Sequence, residues 1–284
     1  MGTDTKAVIK HVEGLASAFK DLAAAARQLA KLDPELERNV WVADAALVSA
    51  EKALSTVGAV VPLADARAWV GVLRQRVDAL KDRARSQTAA ALSRELAALG
   101  LGLEGTIPEL RCGVLTLELV FERAEVRIHF GPRIAQLAKA PLDAKEAAAA
   151  VKAALDALSP APLDEPAYIA EVHGAWRRAC LLGGQDTATG ATVPIVAVLD
   201  QMAWGRQSAR FRANPTRESF EGYGRVQLAW DLYRLSLRTH GDLELKLTVA
   251  TREQTRSEAE NLWVPRTARG EGTHFAGVAF RRTA

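Results

Sequence analysis

Near the start of the chain, apolar residues recur at alternating steps of four and three, a spacing that places side chains on one side of a helix. The first series is Val8, Val12, Leu15, Phe19, Leu22, Ala26 and Leu29; the second is Leu36, Val40, Ala43, Leu47, Ala50, Leu54 and Val57. Ala66, Val70, Leu73, Val77, Leu80 and Ala84 make a third. A narrow stripe of this kind, held for nearly three heptads, predicts helices crossing at a shallow angle, as in bundles and coiled coils. Residues 1–105 are therefore read as a helical arm.

The breaks between these helices are legible too. Asp33-Pro34 reads as a stop and restart, with Asp33 as N-cap and Pro34 in the first turn of the next helix. The heptad phase runs through this point, but a single kinked helix would put the Asp33 carboxylate in the seam, where burial is costly. Two helices are expected instead. Gly58 and Pro62 end the second, and the third extends over about 63–99 before Gly100, Gly102 and Gly105. Arg74, Lys81 and Arg85 share a side of this third helix and read as its solvated face.

Beyond residue 105 the period changes to two. Leu115, Leu117, Leu119 and Phe121, then Val126, Ile128 and Phe130, predict a β-hairpin with His129 pointing outward. Asp143 with Glu146 signals the start of a helix over about 144–158, Ser159-Pro160 starts a loop, and another helix is expected over 165–182. Val193–Leu199, the alternating Leu243–Val249 and Phe275–Phe280 read as strands. Arg225–Arg238 fits either a helix or a strand. The fold class is thus α+β, with residues 106–284 forming a mixed domain of mainly antiparallel strands.

Composition narrows the function classes. Hydrophobic residues at 49% and charged residues at 25% suit a chain with a packed core rather than a disordered one. The net charge of +3 argues for no partner by itself, but the excess is local: residues 166–284 carry sixteen basic and twelve acidic side chains, and fifteen of the basic ones are arginine. Cys112 and Cys180 are too few for a disulfide framework. With no apolar run of signal-peptide or membrane-span length, a cytoplasmic protein without membrane contact is expected.

No catalytic motif, metal-ligand cluster or cofactor loop meets its own spacing rule, so no catalytic residue, metal or cofactor is assigned. The densest candidate is the run Trp204 to Arg217. Arg206, Arg210, Arg212 and Arg217 interleave with Trp204 and Phe211, a pattern that can hold a phosphate backbone while aromatic rings stack on bases. As a strand it would point Arg206, Arg210 and Arg212 the same way. Arginine is equally at home in a protein interface. His173 and Cys180 share a helix face with Trp176, but two turns separate them by about 10 Å, too far for a nucleophile and its base.

The expected role is non-enzymatic: a subunit or adaptor of a multiprotein assembly, whose helical arm self-associates or docks on a protein partner. Phe19, Trp41 and Trp69 mark apolar surface available to that partner. The alternatives are a nucleic-acid-binding protein using residues 206–217, and an enzyme with an interdomain cleft that gathers side chains such as His173 or Asp231.

Overall fold

In the computed structural model, residues 5–37, 39–59, 63–159 and 161–283 are described. Pro62 and Pro160, read above as chain breaks, and the side chain of Val8 lie outside the described residues. The architecture is α+β: long N-terminal helices are followed by antiparallel sheets and shorter helices. The chain divides into two compact units. One holds Met1–Ala98, Leu119–Val126 and Ala140–Ala148; the other holds Leu99–Glu118, Arg127–Lys139 and Ala149–Ala284.

Three helices dominate the first unit: α1 (Thr5–Leu32), α2 (Val40–Val57) and α3 (Ala64–Ala98). Their 28, 18 and 35 residues correspond to about 42, 27 and 53 Å. The break is real, but Asp33 is not a cap. It opens a one-turn 3-10 helix, Asp33–Glu35, and α2 starts only after Asn39, whose side-chain amide donates to the Glu35 carbonyl at 3.1 Å.

Helix α2 is the middle of the bundle, packed on α1 along one side and α3 along the other. Every member of the second apolar series, Leu36 to Val57, is buried, and Ala46 and Ala53 add a second buried stripe. Val70, Leu73 and Val77 of the third series close over it. The first series is rotated from expectation. Val12 and Phe19 are exposed, and the buried line on α1 runs instead through Ala18, Ala25 and Leu29 with Leu22 half-buried beside it. Two small residues on that line let α1 approach α2 closely, and α2 is too short to cover the beginning of α1.

The sheets follow. The first has the order β1 (Glu104–Thr106), β2 (Glu109–Cys112), β3 (Leu115–Val120), β4 (Glu125–Phe130) and β5 (Ala135–Pro141). The hairpin β3–β4 is the expected one, closed by a 3-10 turn at Phe121–Arg123. His129, expected outward, is buried: β4 buries Ile128, His129 and Phe130 in succession, so alternation fails there. Helix α4 (Ala144–Leu158) begins where expected, with the Asp143 carboxylate accepting from the backbone N–H of Lys145 and Glu146 at 2.9 Å.

Helix α5 (Glu165–Leu182) is also as expected, capped by Asp164, which accepts from Ala167 N–H at 3.1 Å. The Val193–Leu199 run is not a strand. Only β6 (Val193–Pro194) pairs, and α6 (Ile195–Gly205) follows, burying Ile195, Val198 and Met202 at helical spacing. Then come α7 (Ala209–Ala213), α8 (Arg225–Arg234), β7 (Thr239–His240), β8 (Leu243–Val249), β9 (Leu262–Pro265) and β10 (Gly272–Arg282). Burial of Leu228, Leu232 and Leu235 settles the ambiguous segment as helix α8 and its exit. The second sheet has the order β6-β10-β8-β7, with β9 also on β10, all antiparallel. Helices α5 and α6 pack on each other and on β10.

The central place of α2 has a measurable consequence. Leu47 is fully buried there and Val48 is 55% exposed. In urea titrations, Leu47→Ala should cost about 2–5 kcal/mol, whereas Val48→Ala should stay within about 0.5 kcal/mol. Equal costs would contradict this packing.

Candidate functional site

The basic side of α3, expected to be solvated, is turned onto α2. The Arg74 guanidinium forks onto Glu51, Nε to Oε1 and Nη2 to Oε2, both at 2.8 Å, and Nη1 also donates to Asp44. The other Asp44 oxygen accepts from Lys81 Nζ at 2.9 Å. Arg76 pairs with Asp33 at 2.7 Å. Partial burial opposes ionisation of Asp44, but hydrogen bonds from Lys81 and Arg74 outweigh it and hold the carboxyl below the usual range. These are clamps between neighbouring helices.

Trp41, one of the three candidate contact residues, is half-buried within its own unit. Its ring lies 4.7 Å from that of Phe121, with the Lys81 ammonium 5.6 Å and the Arg85 guanidinium 5.4 Å from its centroid. Phe19 and Trp69 are open to solvent, 42% and 38% exposed. Phe19 does not stand alone. Ile9, Val12, Ala16 and Phe19 are all exposed on α1 and recur at steps of three, four and three. At about 100° per residue they occupy one arc of the helix, well apart from the buried line of Ala18, Ala25 and Leu29. Ala23, Ala26 and Ala30 continue the same stripe to the end of the helix.

The arginine-rich run is two helix segments rather than a strand, so its arginines do not align. Arg206 follows the end of α6 and is held in a fork by Glu171, at 2.6 and 2.8 Å, with its guanidinium 3.7 Å from the Tyr223 ring centroid. Ser208 caps α7 by accepting from Phe211 N–H at 3.3 Å. Arg212 donates to the Gly205 carbonyl at 2.9 Å, and Phe211 is buried between Trp204 and Phe220. Arg210, Arg212, Arg217 and Trp204 are exposed.

Asp231 and His173 are each engaged in a separate cluster, and no hydrogen bond or ring contact joins them among the described residues. Asp231, buried in α8, accepts from Tyr223 Oη and Gln227 Nε2, each at 3.0 Å, and from Arg234 Nη2 at 2.7 Å. Tyr223 spends its only proton on Asp231, so the 3.0 Å contact with Tyr168 has Tyr168 donating. Burial pushes both phenols well up, and the nearby Asp231 charge adds to this; both stay neutral hydrogen-bond carriers. Every polar atom of the Asp231 carboxylate is occupied, which makes it a structural anchor.

His173 lies 4.8 Å from His240 and 4.9 Å from Phe280 between ring centroids, and stacks on Trp176 at 5.6 Å. Burial, then His240, then Arg177 lower its pKa. Cys180 is fully buried, and burial raises its thiol pKa. Sequence spacing could not bring His240 to His173, because the pairing depends on β7 reaching α5. Among the described residues no group of three or more His, Cys, Asp or Glu is placed to hold a metal ion, and no helix is long and apolar enough to cross a membrane. Comparison with protein-family models, with curated proteins and with solved structures finds no match.

The Asp44 clamp gives a pH-dependent test. A carboxylate whose folded pKa is depressed contributes stability above its unfolded value, and that contribution is lost as pH falls through the folded value. Asp44→Asn should destabilise by roughly 1–3 kcal/mol at neutral pH, because it leaves two cations short of a partner. The gap from the parent protein should close as pH falls below about 4. A gap independent of pH would rule out the carboxylate as its source.

Proposed function

We propose that this chain is a non-enzymatic subunit that self-associates through α1, as a building block of a larger protein assembly. The observation that carries the reading is the exposed stripe Ile9, Val12, Ala16 and Phe19, whose line continues through half-buried Ala23 and Ala26 to exposed Ala30. Ile9 and Val12 precede Ala18, the first residue that α1 buries among the described ones, and Ala16 and Phe19 lie on a different arc of the helix from it. Large apolar side chains repeating on an uncovered helix face favour a partner helix.

The occupant that fits is α1 of a second copy, antiparallel and related by a two-fold axis between Ser17 and Ala18. In that register Ile9 faces Ala26 of the other copy, Val12 faces Ala23 and Phe19 faces Ala16. Each large side chain meets a small one, so the helices approach closely without voids. The flanking charges agree: Glu13 of one copy falls between Lys20 and Arg27 of the other, and none of the three has an ion pair within the chain among the described residues.

The nucleic-acid reading has less to rest on. It needs Arg206, Arg210 and Arg212 presented together, and Arg206 is committed to Glu171.

Multi-angle light scattering tests the proposal. The protein should be a dimer, and Phe19→Glu or Val12→Glu should weaken it by at least about tenfold. Val48→Glu, on an exposed part of α2 away from the stripe, should leave the mass unchanged. A monomer at every concentration, or equal damage from Val48→Glu, would overturn it.

A further inference from the structure

A hollow of about 560 Å³ opens in the second unit, where α5 faces the turn at residues 187–190 and the end of β10. That volume suits a small molecule. Its lining is unevenly charged: Arg177 comes from α5 and Arg281 and Arg282 from β10, against one carboxylate among the described residues, that of Asp242, which lies 3.7 Å from Arg282. Among the described residues Arg177 and Arg281 have no acidic partner. They contrast with Arg74, Arg76, Arg206 and Arg234, each committed to a carboxylate.

Arg281 is held in place. The turn beside it ends in Gly190 at φ +64, and a Cβ there would lie 3.1 Å from Arg281 Cγ and from the Phe280 carbonyl. Glycine at 190 thus lets the turn close onto the aliphatic stem of Arg281. His173, resting on Trp176 and Phe280, lines the hollow together with Leu243 and Thr187.

We infer that this hollow binds a small phosphate monoester, with the phosphoryl oxygens on Arg177 and Arg281 and the organic body against His173 and Leu243. Phosphate fits better than carboxylate because the two unpaired guanidiniums come from different elements. A tetrahedral dianion offers three oxygens to two forks, whereas the two oxygens of a carboxylate are saturated by one. The low pKa of His173 is consistent with surplus positive charge there: Arg177 and His240 both discourage its protonation, after the larger effect of burial.

Calorimetric titration in phosphate-free buffer, with phenyl phosphate, inorganic phosphate and benzoate as probes, tests this. Phenyl phosphate should bind more tightly than either other probe, about tenfold more tightly than benzoate, and Arg177→Gln and Arg281→Gln should each cost about tenfold. All three side chains involved in the comparison, Arg177, Arg281 and the control Arg256, are exposed, so their replacement leaves the fold intact. Arg256→Gln should bind like the parent. In NMR titrations the bound dianion should raise the His173 pKa toward its ordinary value. Absent binding, equal binding of benzoate, or an Arg256→Gln loss as large as that of Arg177→Gln would overturn the inference. None of these outcomes bears on α1 self-association.

Discussion

Helix α2 has to serve two neighbours with eighteen residues, and the first unit is organised around that shortage. Small side chains at Ala43, Ala46, Ala50 and Ala53 let it bury one stripe under α1 and another under α3. Neither flanking helix has an equivalent core without it. Because α1 and α3 are longer, the bundle saturates only where all three overlap. The apolar residues Ile9, Val12 and Phe19 lie on another arc of α1, which α2 does not face.

Electrostatics reinforce this arrangement across the α2–α3 contact. Asp44 and Glu51 face Arg74 and Lys81, with side chains partly shielded from water. Such pairs contribute more to fixing the register of two helices than to net stability, since desolvation offsets much of the attraction. Apolar stripes alone tolerate sliding by a heptad; a forked arginine does not.

Much of this was legible in the sequence wherever the signal was local. The series Leu36 to Val57 is buried throughout, although it leaves out the second stripe at Ala46 and Ala53, and α4 begins at the Asp143 cap. The failures have physical causes. Val12 and Phe19 fit a seam by spacing, but α1 is rotated so that Ala18, Ala25 and Leu29 face α2, and the small side chains on that line allow the closer approach. Val193-Pro-Ile-Val-Ala-Val-Leu has the β-branched character of a strand, yet tertiary packing of Ile195, Val198 and Met202 selects helix. Arg74 and Lys81 looked solvated because their acids lie 23 to 37 residues away. The candidate sites were the least legible: the His173–His240 contact and the Arg177–Arg281 hollow join segments that only the fold brings together.

The central claim is that α1 pairs with a second α1 running the opposite way, and distances between spin labels read it directly. Single cysteines replacing exposed Lys10 or Lys31 would carry the labels, and Cys112 and Cys180 are buried away from the reagent. The two-fold register places labels at position 10 about 25 Å apart and labels at position 31 about 40 Å apart, from a rise of about 1.5 Å per residue and an interhelix spacing of about 10 Å. Equal short distances at both positions, or no dipolar coupling at either, would contradict the account.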